Sequence, residues 1–212
     1  MQARTKQCSP WCSSSGLGLL LVALLGSGCA STQLKGVWKA PDPGPKVSRV
    51  LVIALTRSET GRRTVERQFA SRLQAAKAQP FESNRFESGQ PLDRAKVEEL
   101  VKRENFDSVL LVRLVDVHQE EHYVPGGYAG YYGPAGGGFY GYYGYAYPMA
   151  YSPGYVSQST TVQVETQLYR TQGQGQLVWS TVSETLDPSN VESAASGIAN
   201  AVVERLHEDK LL

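Results

Sequence analysis

The chain has 212 residues, 41% of them hydrophobic, and carries 21 Lys and Arg against 20 Asp and Glu, for a formal charge of +1. No basic cluster stands out, so binding by phosphate neutralisation is a poor fit and nucleic acid is not expected as a partner. Three cysteines are too few for a disulfide framework.

The first element is an export signal. An n-region with Arg4 and Lys6 and no acid precedes the apolar run Leu17–Leu25. A bilayer core takes roughly 20 apolar residues to cross, so this run reads as a signal peptide rather than a span. Gly26, Ser27 and Gly28 supply the small side chains a signal peptidase needs, and Cys29 follows directly. Leu25-Gly26-Ser27-Gly28-Cys29 resembles the bacterial lipobox, with Gly26 where Leu is usual. The resemblance implies cleavage between Gly28 and Cys29 and attachment of diacylglycerol and palmitate at Cys29. Ala30 in place of Asp implies sorting to the outer membrane; the expected location is that membrane, lipid-anchored and periplasm-facing, with surface exposure left open by the sequence. Removal of residues 1–28 takes away Cys8, Cys12, Arg4 and Lys6, leaving 19 bases against 20 acids and a formal charge of −1.

Residues 29–46 are expected to be a lipid anchor and tether, since Pro41, Pro43, Gly44 and Pro45 disfavour regular structure. Trp38 is expected to pack on the edge of a single domain formed by residues 47–212. Arg49–Thr56 reads as a buried strand. Val65, Phe69, Leu73 and Ala76 recur at helical spacing, predicting an amphipathic helix over Arg62–Gln79 that ends at Pro80. Phe81–Phe86 is a candidate short strand, and Pro91-Leu92-Asp93 opens a helix with Ala95, Val97, Leu100 and Val101 as its inner stripe.

Asp107–Val117 is apolar on both alternating sets, as in a central strand of a covered sheet. Val156–Arg170 instead alternates wet and dry, the pattern of an antiparallel strand with one solvated face. Gly173-Gln174-Gly175 turns it into a second strand, Gln176–Leu186. Asp187-Pro188-Ser189 starts a last helix with the stripe Val191, Ala195, Ile198, Val202 and Leu206. The predicted order is β-α-β-α-β-β-β-α: an α/β (α+β) sandwich with a mostly antiparallel sheet of about five strands.

Several stretches give this pattern a likeness: Trp38-Lys39-Ala40-Pro41-Asp42, Arg49-Val50-Leu51-Val52, Asp107–Val117, Tyr169 through Leu177-Val178-Trp179-Ser180, and Thr185-Leu186-Asp187-Pro188. Together with the lipobox they resemble uncharacterised bacterial envelope lipoproteins whose domain is similar to the TolB N-terminal and CsgG-type folds. The resemblance implies a role through protein contacts in the envelope, with no established enzymatic activity to carry over.

Eleven of the 12 tyrosines lie between Tyr123 and Tyr155, interleaved with glycine. Residues 124–155 read as a low-complexity insertion capping a long hairpin. Connections longer than about 12–15 residues are usually functional or disordered, and both readings stand. As a contact surface for an envelope protein, a glycan or a lipid headgroup region, it offers Tyr128, Tyr131, Tyr132, Tyr140, Tyr142, Tyr143, Tyr145 and Tyr147. Such a surface also allows an adhesive or self-assembling protein.

His118-Gln119-Glu120-Glu121-His122 fits the spacing of inverted zinc metalloproteases, making a zinc-dependent hydrolase with His118, Glu121 and His122 the enzymatic alternative. That chemistry needs a helix to put the histidines on one face. Here they continue a strand, where a rise of roughly 3.3 Å per residue separates them by about 13 Å. No nucleophile elbow or phosphate loop is present in the sequence. The expectation is a non-enzymatic binding or assembly module without a cofactor or metal.

Overall fold

The structure is a computed structural model that describes residues 31–86, 92–124, 138–151, 154–173 and 175–212. The chain runs β1 (Thr32–Lys39), β2 (Arg49–Leu55), α1 (Glu59–Ala75), β3 (Gln79–Glu82), α2 (Arg94–Glu104), β4 (Ser108–Val124), α3 (Gly138–Ala150), β5 (Tyr155–Arg170), β6 (Gln176–Leu186) and α4 (Val191–Glu208). The strands form one six-stranded sheet in the order β1-β6-β5-β4-β2-β3. β2 is parallel to both β3 and β4, and the remaining pairs are antiparallel. The fold is therefore α+β with a mixed sheet, where a mostly antiparallel one of about five strands was expected.

The additional strand is β1, which lies inside the stretch expected to be tether. It pairs with β6 from Thr32↔Thr185 to Lys39↔Trp179, with an irregularity between Lys35 and Trp38 where Gly36 takes a φ of +60°. Trp38 sits on this edge strand, 45% exposed. The Pro/Gly segment after it carries the chain from one side of the sheet to β2, past three intervening strands. Four inter-strand steps of about 4.8 Å make a crossing of about 19 Å. Extended, proline-bearing chain suits that span. The crossing is clipped down, because the Arg170 guanidinium donates to the carbonyls of Pro43, at 3.0 Å, and Pro45. Ala40 and Val47 at its two ends are buried.

Helices cover the sheet unequally. α1 and α4 lie on one face, closing a core of Val50, Val52, Phe69, Leu110, Leu168 and Val202 around the fully buried Trp179. α2 covers only the β2/β4 part of the other face, over Leu51, Ile53 and Phe106. β4 is thus a central strand covered on both sides at its start, as its two apolar sets predict. β5 keeps Val164 and Leu168 in the core. Its other face carries the Gln163–Glu184 and Arg113–Glu165 contacts.

Several boundaries differ from expectation. α1 spans Glu59–Ala75 and stops before Lys77, whose φ of +68° breaks the helix well ahead of Pro80. Its N-cap is Ser58, whose side chain accepts from Gly61 N. β3 occupies Gln79–Glu82, and the end of the expected strand is instead the 3-10 turn Ser83–Arg85. Within the Gly/Tyr segment, Gly138–Ala150 is helical.

Candidate functional site

β4 and β5 pair continuously from Ser108↔Arg170 to Val124↔Tyr155, outrunning every neighbour in the sheet. β2 leaves β4 at Arg113, and β6 leaves β5 at Thr161. Beyond that point Gln119–Val124 and Tyr155–Thr160 form a two-stranded ribbon, about 20 Å long at roughly 3.4 Å per residue. α3 lies between its two strands in sequence, so ribbon and helix together make an arm.

The described side chains of α3 carry no charge. Phe139, Tyr143, Tyr147 and Tyr151 recur every fourth residue, so they share one helix face. Their successive ring centroids are 5.8, 5.4 and 4.6 Å apart, within the range where aromatic pairs attract. This ladder supports a helix whose glycines would otherwise weaken it. The ladder rings remain in solvent, with exposures from 48% at Tyr147 to 72% at Phe139 and Tyr151, and Tyr140 beside them is 86% exposed. Of the expected contact tyrosines, Tyr140, Tyr142, Tyr143 and Tyr147 are exposed on this helix. Tyr128, Tyr131 and Tyr132 lie outside the described residues, as does the side chain of Tyr145.

The histidine motif lies on the same ribbon. His118, Glu120 and His122 share a face, and Glu120 offers one carboxylate oxygen to each imidazole Nε2 at 3.2 Å. Glu121 belongs to the opposite face, where it accepts from Gln158 at 2.8 Å. The inverted-protease arrangement needs that glutamate beside the histidines, and the strand turns it away. Among the described residues no three His, Cys, Asp or Glu side chains are grouped to hold a metal.

A feature invisible to the motif reading is an apolar cleft of about 460 Å³ between the first turns of α1 and α4 and the sheet beneath them. Val65 and Phe69 form one wall, Ala195 and Ile198 the other, with Val112 and Val164 as floor. No described lining side chain is ionisable. A bulge in β4 shapes its open end. The register shifts between Leu114 and Asp116, so Leu114 stands opposite Val164 and Val117 opposite Val162. An uninterrupted strand would turn residues 114 and 117 to opposite faces, whereas the extra residue turns both toward the cleft. Leu114, Val117 and Val191 are left about half exposed at the rim. The helix starts flanking the cleft are capped by their own side chains, Ser58 to Gly61 N at 3.1 Å and Asn190 to Ser193 N at 2.8 Å.

The ionisable groups with displaced affinities are not among the residues that line the cleft, although Glu59 stands next to it in α1. Arg170 is lowered by burial, an effect partly offset by Asp107. Glu59 is lowered by hydrogen bonds from Arg63 and Arg62. Both have structural partners, the carbonyls of the crossing for Arg170 and the α1 guanidiniums for Glu59. The expected signal peptide, its cleavage position at Gly28 and the lipid attachment at Cys29 lie outside the described residues. No described helix is long and apolar enough to cross a membrane.

No protein-family model matches the chain, and no curated protein matches its sequence. Solved structures similar to it include the following three. One is the PelC dodecamer from Paraburkholderia phytofirmans, at 18% identity over 83% of this chain and 97% of that one, with a TM-score of 0.44. Another is lipoprotein GNA1162 from Neisseria meningitidis, at 15% identity over 76% and 99%, with a TM-score of 0.41. The third is the hypothetical protein CT253 from Chlamydia trachomatis, at 10% identity over 78% and 94%, with a TM-score of 0.37.

Proposed function

We propose that the protein is a non-enzymatic outer-membrane lipoprotein, anchored through Cys29, that acts as a binding or assembly module of the bacterial envelope by means of its arm. The observation that carries this reading is the exposed ladder Phe139–Tyr143–Tyr147–Tyr151 at the end of a ribbon with no third strand beside it among the described residues. Tyrosine offers a large amphipathic face at low side-chain entropy cost, which suits recognition of a protein or glycan. The lipobox-like Leu25–Cys29 supplies the address, and the TolB N-terminal/CsgG-type resemblance agrees with a role by contact.

In-cell crosslinking of the full chain tests this. The parent protein is expected to give a discrete crosslinked species. A variant with Tyr140, Tyr142, Tyr143 and Tyr147 all changed to Ser is expected to lose it while its level and circular dichroism stay unchanged. An identical crosslinking pattern from the variant overturns the arm as the contact surface. Palmitate labelling lost in Cys29→Ala supports the anchor, and labelling that persists overturns it.

A further inference from the structure

The place where the described chain begins bears on the apolar cleft. The Ser31 carbonyl accepts from Leu186 N at 3.2 Å, and the Thr32 and Thr185 hydroxyls are 2.9 Å apart. The chain is therefore sewn to the end of β6 from its first described residue. Two residues after Leu186 comes Pro188, then Asn190 and Val191, and all three line the cleft. Asp187 makes this turn with a φ of +45° and is fixed by Thr160, whose amide donates to its carboxylate at 2.6 Å and whose carbonyl accepts from its amide at 2.8 Å. Cys29 stands two residues before Ser31, at most about 7 Å of extended chain away. A lipid on its sulfur would start within that reach of the end of β6, whose following turn lines the cleft.

We propose that the cleft takes one acyl chain of the protein's own Cys29 lipid, an inference that rests on the lipoprotein reading above. The cleft is apolar, has a volume of about 460 Å³ and no charged side chain in its described lining, inside the range of about 300–1,000 Å³ usual for small-ligand sites. Its rim residues Leu114, Val117 and Val191 are 47%, 49% and 60% exposed. Three apolar side chains converging on one opening leave a surface that a hydrocarbon chain covers and water does not. The occupant that proximity favours is the hydrocarbon tied to the neighbouring residue, because tethering at such short range gives it a high effective concentration over any free competitor. Of the polar side chains at the rim, Ser58 and Asn190 are already used in capping α1 and α4, and the threonines beside them offer a headgroup no charge. In this arrangement the remaining lipid chains enter the bilayer, and this end of the sheet rests against it.

The experiment uses the full chain in cells fed an alkynyl palmitate bearing a diazirine. After irradiation the protein is purified and digested, and the peptides that carry the probe are identified. Intramolecular adducts on the cleft peptides, those containing Leu114, Val117 or Val191, are the expected result. Val191→Trp places a large ring at an already exposed rim position, so the fold tolerates it, and the adduct yield there should drop severalfold. Probe that is incorporated but crosslinks only phospholipid, another protein or residues outside the cleft overturns this inference and leaves the lipoprotein reading intact. An undiminished yield in Val191→Trp also overturns it. A parent protein that takes up no probe overturns both.

Discussion

The two ends of the same sheet are built on opposite terms. At the end where β5 finishes and β4 begins, nearly every loose strand of chain is pinned. Asp107 accepts from the amides of Ser48 and Arg49 at 2.9 and 2.8 Å, and Arg170 clips the proline crossing. The C-terminal residues Leu211 and Leu212 are buried, with the Leu211 carbonyl accepting from Val47 N at 2.8 Å. At the other end, apolar side chains surround an open cleft and two strands run on without a neighbouring strand among the described residues. A two-stranded ribbon is marginally stable by itself, so the arm borrows its order from the sheet at its base. One end supplies the stability of the fold, and the other is free to make contacts.

The largest test of this contrast is at the pinned end. Trp179 is fully buried in the core, and its indole Nε1 donates to Asp209 at 2.8 Å. Trp179→Ala is expected to cost about 3–5 kcal/mol in chemical denaturation, from lost burial and the cavity left behind. Tyr140→Ala on the arm should stay within about 0.5 kcal/mol of the parent. Equal losses at the two positions would break the comparison.

Next in size is Glu66, a fully buried carboxylate that ties α1 to the sheet and to the turn after β3. It accepts from Ala54 N at 3.1 Å, Ser83 Oγ at 2.5 Å, and Asn84 N and Nδ2 at 2.8 Å each. Glu66→Ala leaves these donors without their acceptor and is expected to cost about 1–3 kcal/mol. Glu66→Gln keeps one acceptor oxygen and should fall between Ala and the parent in the same denaturation assay.

These two residues also show what the sequence could reveal. The central position of β4 was legible because both of its alternating sets are apolar, and the α4 stripe because burial recurs at helical spacing. The role of Glu66 was not, because it stands among Arg63, Arg67 and Gln68 and reads as part of a wet face. Its partners are set by tertiary packing that no local period records. β1 was missed for a related reason: an edge strand reading TQLKGVWK, with no fully buried residue, gives weak alternation. α3 was hidden by a glycine content that argues against a helix, and only the i, i+4 aromatic spacing could have signalled it. The cleft was hidden inside a correct reading. Val65, Phe69, Ala195 and Ile198 form apolar stripes whether the facing helix closes over them or stands apart.

A smaller effect is expected on the arm itself. A Cβ built at Gly154 would lie 2.3 Å from Tyr123 Oη and 2.8 Å from the Val124 carbonyl. Tyr123 can swing into solvent, but the backbone carbonyl cannot move without breaking the last ribbon pairs. Gly154→Ala should therefore speed hydrogen exchange in Gln119–Val124 and Tyr155–Thr160, leaving the denaturation midpoint of the domain unchanged. A shifted global midpoint would mean that the arm folds as one unit with the pinned end.

The least effect belongs to Glu59, in the first turn of α1 near the open end. The Arg63 and Arg62 guanidiniums each reach its carboxylate at 2.8 Å and hold its pKa below the ordinary 4.5. A carboxyl lowered on folding stabilises the folded state above its unfolded pKa, and that contribution is lost as pH falls through the folded value. Glu59 is open to solvent, so salt screens the interaction. An NMR titration should place its midpoint below 4.5 and move it upward in Arg63→Ala, the larger of the two hydrogen-bond contributions. The unfolding midpoint of Arg63→Ala should match the parent at low pH, where the carboxyl is protonated in both, and differ slightly near neutrality. A difference that persists at low pH would mean that Arg63 holds the start of α1 by packing rather than by charge, and the open end would then be more firmly built than its ion pairs indicate.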